Sequence, residues 1–370
     1  MNLELVKKIA DAVLYEGYML YPYRASSVKN RQRFNWGALA PESYSRAQKG
    51  TESYEMQTEC LARAGENSTL DIKIRFLHLT NRKIGELENP LDELPENFTD
   101  YKLVPTLEIG GKLFQAWQEA VEREVDFPTI NLTEDARQEF DFSFPKTREI
   151  EPLRDETKKI VGVIVRTQEE IKVRILVQSA KCKVQSSENE IDEQRTTNDE
   201  QQTDLYKLTV RISNATSFEN AETKTREEAL LHSTVSTHTI LTIKNGEFVS
   251  LLEPPDALAK AVAALENIKT YPVLAGEEGE KDCLFSSPII LYDYPQIADE
   301  SQGDLFDGGE IDEILTLRIM TLTDEEKREM RFLDDRVRKM LERTETMSEE
   351  HLLKMHGAMK GVGKALKENE

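Results

Sequence analysis

Cysteine is scarce in this chain. Cys60, Cys182 and Cys283 are an odd number, far apart and without a CxxC pair, which excludes a disulfide framework and a cysteine zinc site and leaves reduced, buried thiols. Histidine is also rare: His78, His232, His238, His351 and His356. His232 and His238 fall six apart in an expected strand, about 20 Å along the pleat, too far to share a metal. His351 and His356 are five apart on a short helix and do not align. No GxxxxGK[ST] loop, GxGxxG turn, HExxH pair or G-x-S-x-G elbow occurs, so common nucleotide, metalloprotease and serine-hydrolase chemistries have no foothold. Ser286 and Ser287 precede a strand-like run instead of sitting at a strand-to-helix turn. Long apolar runs are missing too, which argues against membrane insertion, and Met1 to Leu14 is broken by Glu4, Lys7, Lys8 and Asp11, unlike a signal peptide. A cytoplasmic location is expected. Positive charge is in deficit: 48 Lys and Arg against 69 Asp and Glu give a net charge of −21, which disfavours nucleic acid as a partner.

What is present suits a globular protein of more than one unit. Leu3, Val6, Ile9, Ala12 and Val13 recur at helical spacing and predict an amphipathic N-terminal helix. Leu70, Ile72, Ile74 and Phe76 alternate with charged residues as in a half-buried strand. Val104 to Trp117, with Gly110-Gly111 at its centre, reads as a hairpin. Ile160 to Val165 and Ile171 to Val177 read as a pair of strands around the polar linker Arg166 to Glu170. Tyr206, Leu208, Val210 and Ile212 alternate again, and Leu230 to Ile243 is expected to turn at Asn245-Gly246 into a return strand, Phe248 to Leu252. Residues 185–203 hold a single aliphatic side chain, Ile191, and are too polar to offset their own ordering entropy. Asp256 is placed to cap a helix carrying Leu258, Ala261, Val262 and Leu265. Thr323 with Glu326 forms a capping box for a helix over about residues 324–343, and a second helix follows over about 348–357.

The expected fold class is α+β, a largely antiparallel, sandwich-like sheet core with an N-terminal helix and a C-terminal helical appendage. Three regions are expected: an N-terminal α+β region over 1–150, an antiparallel β region over 151–253, and a C-terminal α+β region over 254–370.

Two segments stand out chemically. Within 14–39, Tyr21, Tyr23, Arg24, Lys29, Asn30, Arg31, Arg33 and Trp36 bring cations and aromatics together inside an acidic chain, types suited to carboxylate or phosphate and to interface cores. The same cations could equally pair with the chain's own carboxylates. Within 299–313, Asp304, Asp307, Glu310 and Asp312 surround glycines and supply the hard oxygens that Mg or Ca would take, although the spacing is not that of an EF-hand. No catalytic residue is indicated.

The strings SSPIILYDYPQIADES from Ser286, GDLFDGGEIDEILTLRIMTLTDEEK from Gly303 to Lys327, LYEGYMLYPYRASSVKNRQRFNWGAL from Leu14 to Leu39 and GEFVSLLEPP from Gly246 to Pro255 resemble a bacterial family encoded alongside uptake [NiFe]-hydrogenase genes. That resemblance implies a non-catalytic accessory protein assisting hydrogenase maturation or assembly, with a hydrogenase subunit or maturation factor as its protein partner. It transfers no active-site residue. Ser287, Tyr292 and Asp293 join the Tyr21 to Trp36 set as candidate partner-binding residues. The rival reading is an anionic-ligand or divalent-metal-dependent binding protein or enzyme that uses the 24–33 basic and 304–313 acidic segments.

Overall fold

The computed structural model describes residues 3–15, 36–132, 136–182, 204–296, 322–331 and 335–346. Helix α1 spans Leu3–Leu14 and α2 spans Glu42–Ala47. Strand β1 then runs from Glu55 to Leu91, 37 residues without interruption. Straight, it would extend about 120 Å, roughly twice the diameter of a compact chain of this size. It therefore bends. Its pairing with later strands shifts register between Ala64 and Thr69, between Arg75 and Leu77, and between Glu86 and Leu91.

Strands β2 (Lys102–Val104), β3 (Thr106–Ile109), β4 (Lys112–Gln115), β5 (Trp117–Asp126) and β6 (Ile130–Asn131) follow. The expected hairpin is β3–β4, and Gly110 and Gly111 supply its turn with φ of 56° and 78°. Next come β7 (Ala136–Phe144), β8 (Thr147–Arg154), β9 (Ile160–Gln168), β10 (Ile171–Lys181) and β11 (Asp204–Asn214). A short helix α3 (Arg226–Leu230), closed by a Thr225/Glu228 capping box, leads into β12 (Thr234–Phe248). Helix α4 (Ala259–Ala263), β13 (Tyr271–Leu274), β14 (Cys283–Ser287), α5 (Asp324–Arg331) and α6 (Asp335–Glu345) complete the described elements.

The architecture is mostly antiparallel sheet. One large sheet runs β13-β14-β12-β1-β11-β10-β7, with β2, β5, β6 and β9 also on β1 and β8 on β9, and it draws strands from all three of the expected spans. One side of β1 meets β11, then β6, β5 and β2; the other meets β12 and then β9. The bends fold this sheet over itself. Met56, Cys60 and Ala62, before the first bulge, share one apolar core with Leu70, Ile72, Ile74 and Phe76 after it, and with Ile171, Val173, Ile175 and Val177 of β10. Phe140 of β7 comes within 4.2 Å of Phe127, ring to ring, and Phe144 within 5.5 Å of Phe76. The opposite face of β12, β13 and β14 is covered by α1: Val6, Ile9, Ala10 and Val13 bury against Ile240, Val273 and Phe285. Helix α5 reaches the β3–β4 hairpin, where Arg328 donates to Glu108 Oε1 at 2.8 Å and to the Gly111 carbonyl at 2.9 Å.

Five expectations need correction. The helix expected over about 324–343 is two, α5 and α6, and Arg331 Nη2 reaches Glu345 Oε2 at 2.7 Å, a pair that one continuous helix would hold about 20 Å apart. Ile160 to Val165 and Ile171 to Val177 lie in consecutive strands that do not pair: β9 joins β1 and β8, whereas β10 joins β11 and β7. Their two-residue link, Glu169-Glu170, has no positive φ and so cannot form a primed hairpin turn. Asn245-Gly246 is not a turn either. Strand β12 passes through it, Asn245 taking a φ of 56° opposite the bulge in β1, and Val249 donates to the Leu61 carbonyl where a return strand was expected. The helix after Pro255 is a single 3₁₀ turn, Asp256–Leu258, then α4, with no side-chain cap, although Leu258 does pack with Ala261, Val262 and Leu265. Finally, Leu230 closes α3, so His232 precedes β12 and shares no strand with His238.

Candidate functional site

The described end of the 14–39 segment meets the stretch that follows β14, whereas 299–313 lies outside the described residues. At the start of β12, Ser236 takes a φ of 51°, within the register shift between Arg75 and Leu77. This exposes two amides to the chain entering from residue 36: Ser236 N donates to the Trp36 carbonyl and Thr237 N to the Gly37 carbonyl, both at 3.1 Å. Leu39 N then donates to the Thr234 carbonyl at 2.9 Å. Gly37 has a φ of +55°, and a Cβ there would stand 2.7 Å from Pro288 Cγ and 2.9 Å from Thr237 N. Only glycine fits this approach. Pro288 is thus seated on Gly37, and the segment it opens is fixed beside Trp36.

Beyond Pro288 the chain is pinned again. Asp293 accepts from Ser250 Oγ at 2.5 Å and from Leu274 N at 2.8 Å, and Tyr294, at a φ of 55°, donates its amide to the Leu274 carbonyl. Between these anchors Ile290 is 74% exposed and Tyr292 87% exposed, with Trp36 at 46% on the other segment. Asp293, a candidate for partner binding, spends its carboxylate on this internal role. Ser287 is buried, its hydroxyl donating to the Ile289 carbonyl at 2.9 Å. Ser286 is fully buried and lies 2.7 Å from the hydroxyls of both Thr58 and Thr270, a hydroxyl cluster with no base beside it among the described residues. Tyr21, Tyr23, Arg24, Lys29, Asn30, Arg31 and Arg33, like Asp304, Asp307, Glu310 and Asp312, lie outside the described residues, as do His351 and His356.

The remaining candidate groups are placed by the core. Burial in apolar surroundings, reinforced by Glu59 and by Asp282 respectively, pushes the Cys60 and Cys283 thiols up to about 12, so neither is a nucleophile near neutral pH. His238 lies beneath α1, its ring 5.4 Å from that of Phe285. Its Nδ1 donates to the Ser236 carbonyl at 2.8 Å, so Nε2 keeps its lone pair, and burial with the facing Arg75 guanidinium lowers the imidazole to about 3. His78 donates from Nε2 to the Glu169 carbonyl at 3.0 Å, and burial beside Arg123 lowers it to about 4. No group of three or more His, Cys, Asp or Glu side chains converges on a metal site among the described residues. No helix among them is long and apolar enough to cross a membrane.

No protein-family model matches this chain, and no characterised relative matches it.

Proposed function

We propose that the protein is a non-catalytic accessory protein of the cytoplasm that docks a protein partner at the edge formed by Trp36, Ile290 and Tyr292. The observation that carries this reading is the rigid display of large apolar side chains. Pro288 on Gly37 and Asp293 on Leu274 and Ser250 fix the backbone on either side of Ile290 and Tyr292, so little ordering entropy is left to lose on association. Exposed aromatic anchors held in this way have the character of interface hot spots. The resemblance of the strings around Leu14 to Leu39 and Ser286 to Lys327 names the partner class: a subunit or maturation factor of a [NiFe]-hydrogenase. In this reading the folded-over sheet is a sandwich-like scaffold, and α5 and α6 are its C-terminal appendage.

The test is direct binding of the purified full chain to purified hydrogenase subunit precursors and maturation factors. A measurable Kd that weakens by roughly 30-fold or more in Tyr292→Ala or Ile290→Ser, the loss of one hot spot, supports the proposal. Binding that ignores both substitutions removes the edge, and no binding to any hydrogenase component removes the partner.

A further inference from the structure

The outer face of β1, β11, β10 and β7 carries an unusual charge arrangement. Inward positions of β10 feed the core, and its outward positions include Leu176, Gln178 and Ala180. The strand register aligns Gln57, Arg211 and Leu176 in one row across the sheet, then Glu59, Thr209, Gln178 and Arg137 in the next, and Lys207 with Ala180 in a third. Together with Glu266, from the loop before β13, these residues line a cleft of ≈ 410 Å³.

In a chain of net charge −21, a cation kept only for structure has carboxylates within easy reach. Arg46, Arg75, Arg82, Arg166, Arg174 and Arg226 each meet one. In the cleft, Lys207 does the same with Glu59 at 2.8 Å. The two arginines differ. Arg211 is held by a neutral group: its Nε and Nη2 donate to Gln57 Oε1 at 3.0 and 2.6 Å, and Gln57 Nε2 donates to the Glu266 carbonyl at 2.9 Å. That chain fixes the guanidinium without cancelling its charge. Arg137 has no hydrogen-bond or ionic partner among the described residues, because the next carboxylates along β7, Glu139 and Asp141, both belong to Arg174 at 3.1 and 2.9 Å. Glu59 is also occupied, its second oxygen accepting from Glu266 N at 2.8 Å. The Glu266 side chain is the one opposing charge left at the rim.

We propose that this cleft binds an oxyanion, a carboxylate or a phosphate, between Arg137 and Arg211 and over Thr209 and Gln178. The two arginine backbones are separated by two strand spacings, about 10 Å, and by two residues along the strand, about 7 Å, so their long side chains can close on one group from opposite sides. Two planar forks suit a ligand with several acceptor oxygens, and the neutral Gln178 amide below supplies a further donor, the Thr209 hydroxyl donating instead to Glu59 Oε1 at 3.3 Å. The site is independent of the Trp36–Tyr292 edge.

The experiment is a titration of the full chain with pyrophosphate and, separately, with citrate, at constant ionic strength set by chloride, read by calorimetry and by melting temperature. Saturable binding at millimolar ligand or below, with a rise in melting temperature, is expected. Arg137→Gln and Arg211→Gln should each weaken it roughly tenfold or more, the value of one charge-assisted hydrogen bond, while Arg46→Gln, on α2 and outside the cleft's lining, leaves it unchanged. Arg137→Gln breaks no bond among the described residues, so it tests the site without testing the fold. Preference for pyrophosphate over citrate, or the reverse, identifies the ligand class. Absence of saturable binding of either anion, or equal losses in Arg46→Gln, overturns the proposal.

Discussion

Asp11 of α1 and Arg75 of β1 are joined by an N–O contact of 2.6 Å, and Arg75 is 5% exposed at its side chain where the helix lies on the sheet. Glu122 and Glu124 of β5 stand further off, at 3.5 and 3.4 Å. This contact ties helix α1 to the centre of the fold. Because those two glutamates still compensate the guanidinium, Asp11→Ala should cost only about 1 kcal/mol. Arg75→Ala removes the shared partner of three carboxylates and should cost more. Hydrogen exchange of the α1 amides together with thermal unfolding checks both, and α1 should lose protection before the sheet does.

Acid should destabilise the protein earlier than carboxylate titration alone requires. Unfolded imidazoles take up their proton near pH 6.5, whereas His78 does so at about 4 and His238 at about 3 in the folded chain. Between those limits the unfolded state binds more protons, so stability is fully present above pH 6.5 and falls as pH is lowered, by up to about 1.4 kcal/mol per pH unit for each histidine. Denaturant midpoints from pH 7.5 to 5 measure the slope. His78→Gln should flatten it, and an unchanged slope would refute the assignment.

Gly37→Ala should be disproportionately damaging for a half-buried loop residue. The new methyl group meets Pro288 and the Thr237 amide, and alanine disfavours the φ of +55°. A loss of about 2–3 kcal/mol is expected, with faster exchange of the Ser236 and Thr237 amides.

Thiol reactivity should separate the three cysteines. Cys60 and Cys283 are buried and Cys182 is half-buried. In native buffer an aromatic disulfide reagent should therefore modify Cys182 first, with the other two reacting at the rate of unfolding. Prompt modification of Cys60 or Cys283 would contradict the packing described.

Tyr292→Ala should leave stability within about 0.5 kcal/mol, since the side chain is 87% exposed, and act only on partner binding. Ser286→Ala should do the reverse. It strands the hydroxyl of Thr58 in the core, while Thr270 keeps its bond to the Ser287 carbonyl, at a cost of about 1–3 kcal/mol with partner binding intact, as paired melting and binding measurements would show.

Local pattern carried much of the fold. Apolar residues at every second position place β10 and β11, the Gly110-Gly111 pair marks the β3–β4 turn, and the Val6, Ile9 and Val13 stripe marks the buried face of α1. What escaped is set by partners distant in the chain. Gly65 to Ser68 has the composition of a turn, yet it is a bulge inside β1, held by Gly65 N on Ser68 Oγ and by Ser68 Oγ on the Asn245 carbonyl. Asn245-Gly246 looks like a hairpin tip for the same reason, since a positive φ serves a bulge as well as a turn. The even spacing of His232 and His238 misleads because the strand begins only at Thr234 and Ser236 breaks its period. At the candidate edge, the contact of Gly37 with Pro288 has no local signal. The arginines of the cleft are single residues on separate strands, and only strand register brings them to one face.

The reach of β1 also bears on how the chain is born. Its first residues wait for partners far downstream, Gln57 for Arg211 and Ala62 for Phe248. Until those emerge from the ribosome, β1 is a long apolar strand with open edges, which is the situation that invites wrong pairing and slow closure. Synthesis of this protein should therefore lean on holding chaperones, and truncation anywhere before β12 should yield aggregate, not a smaller folded unit.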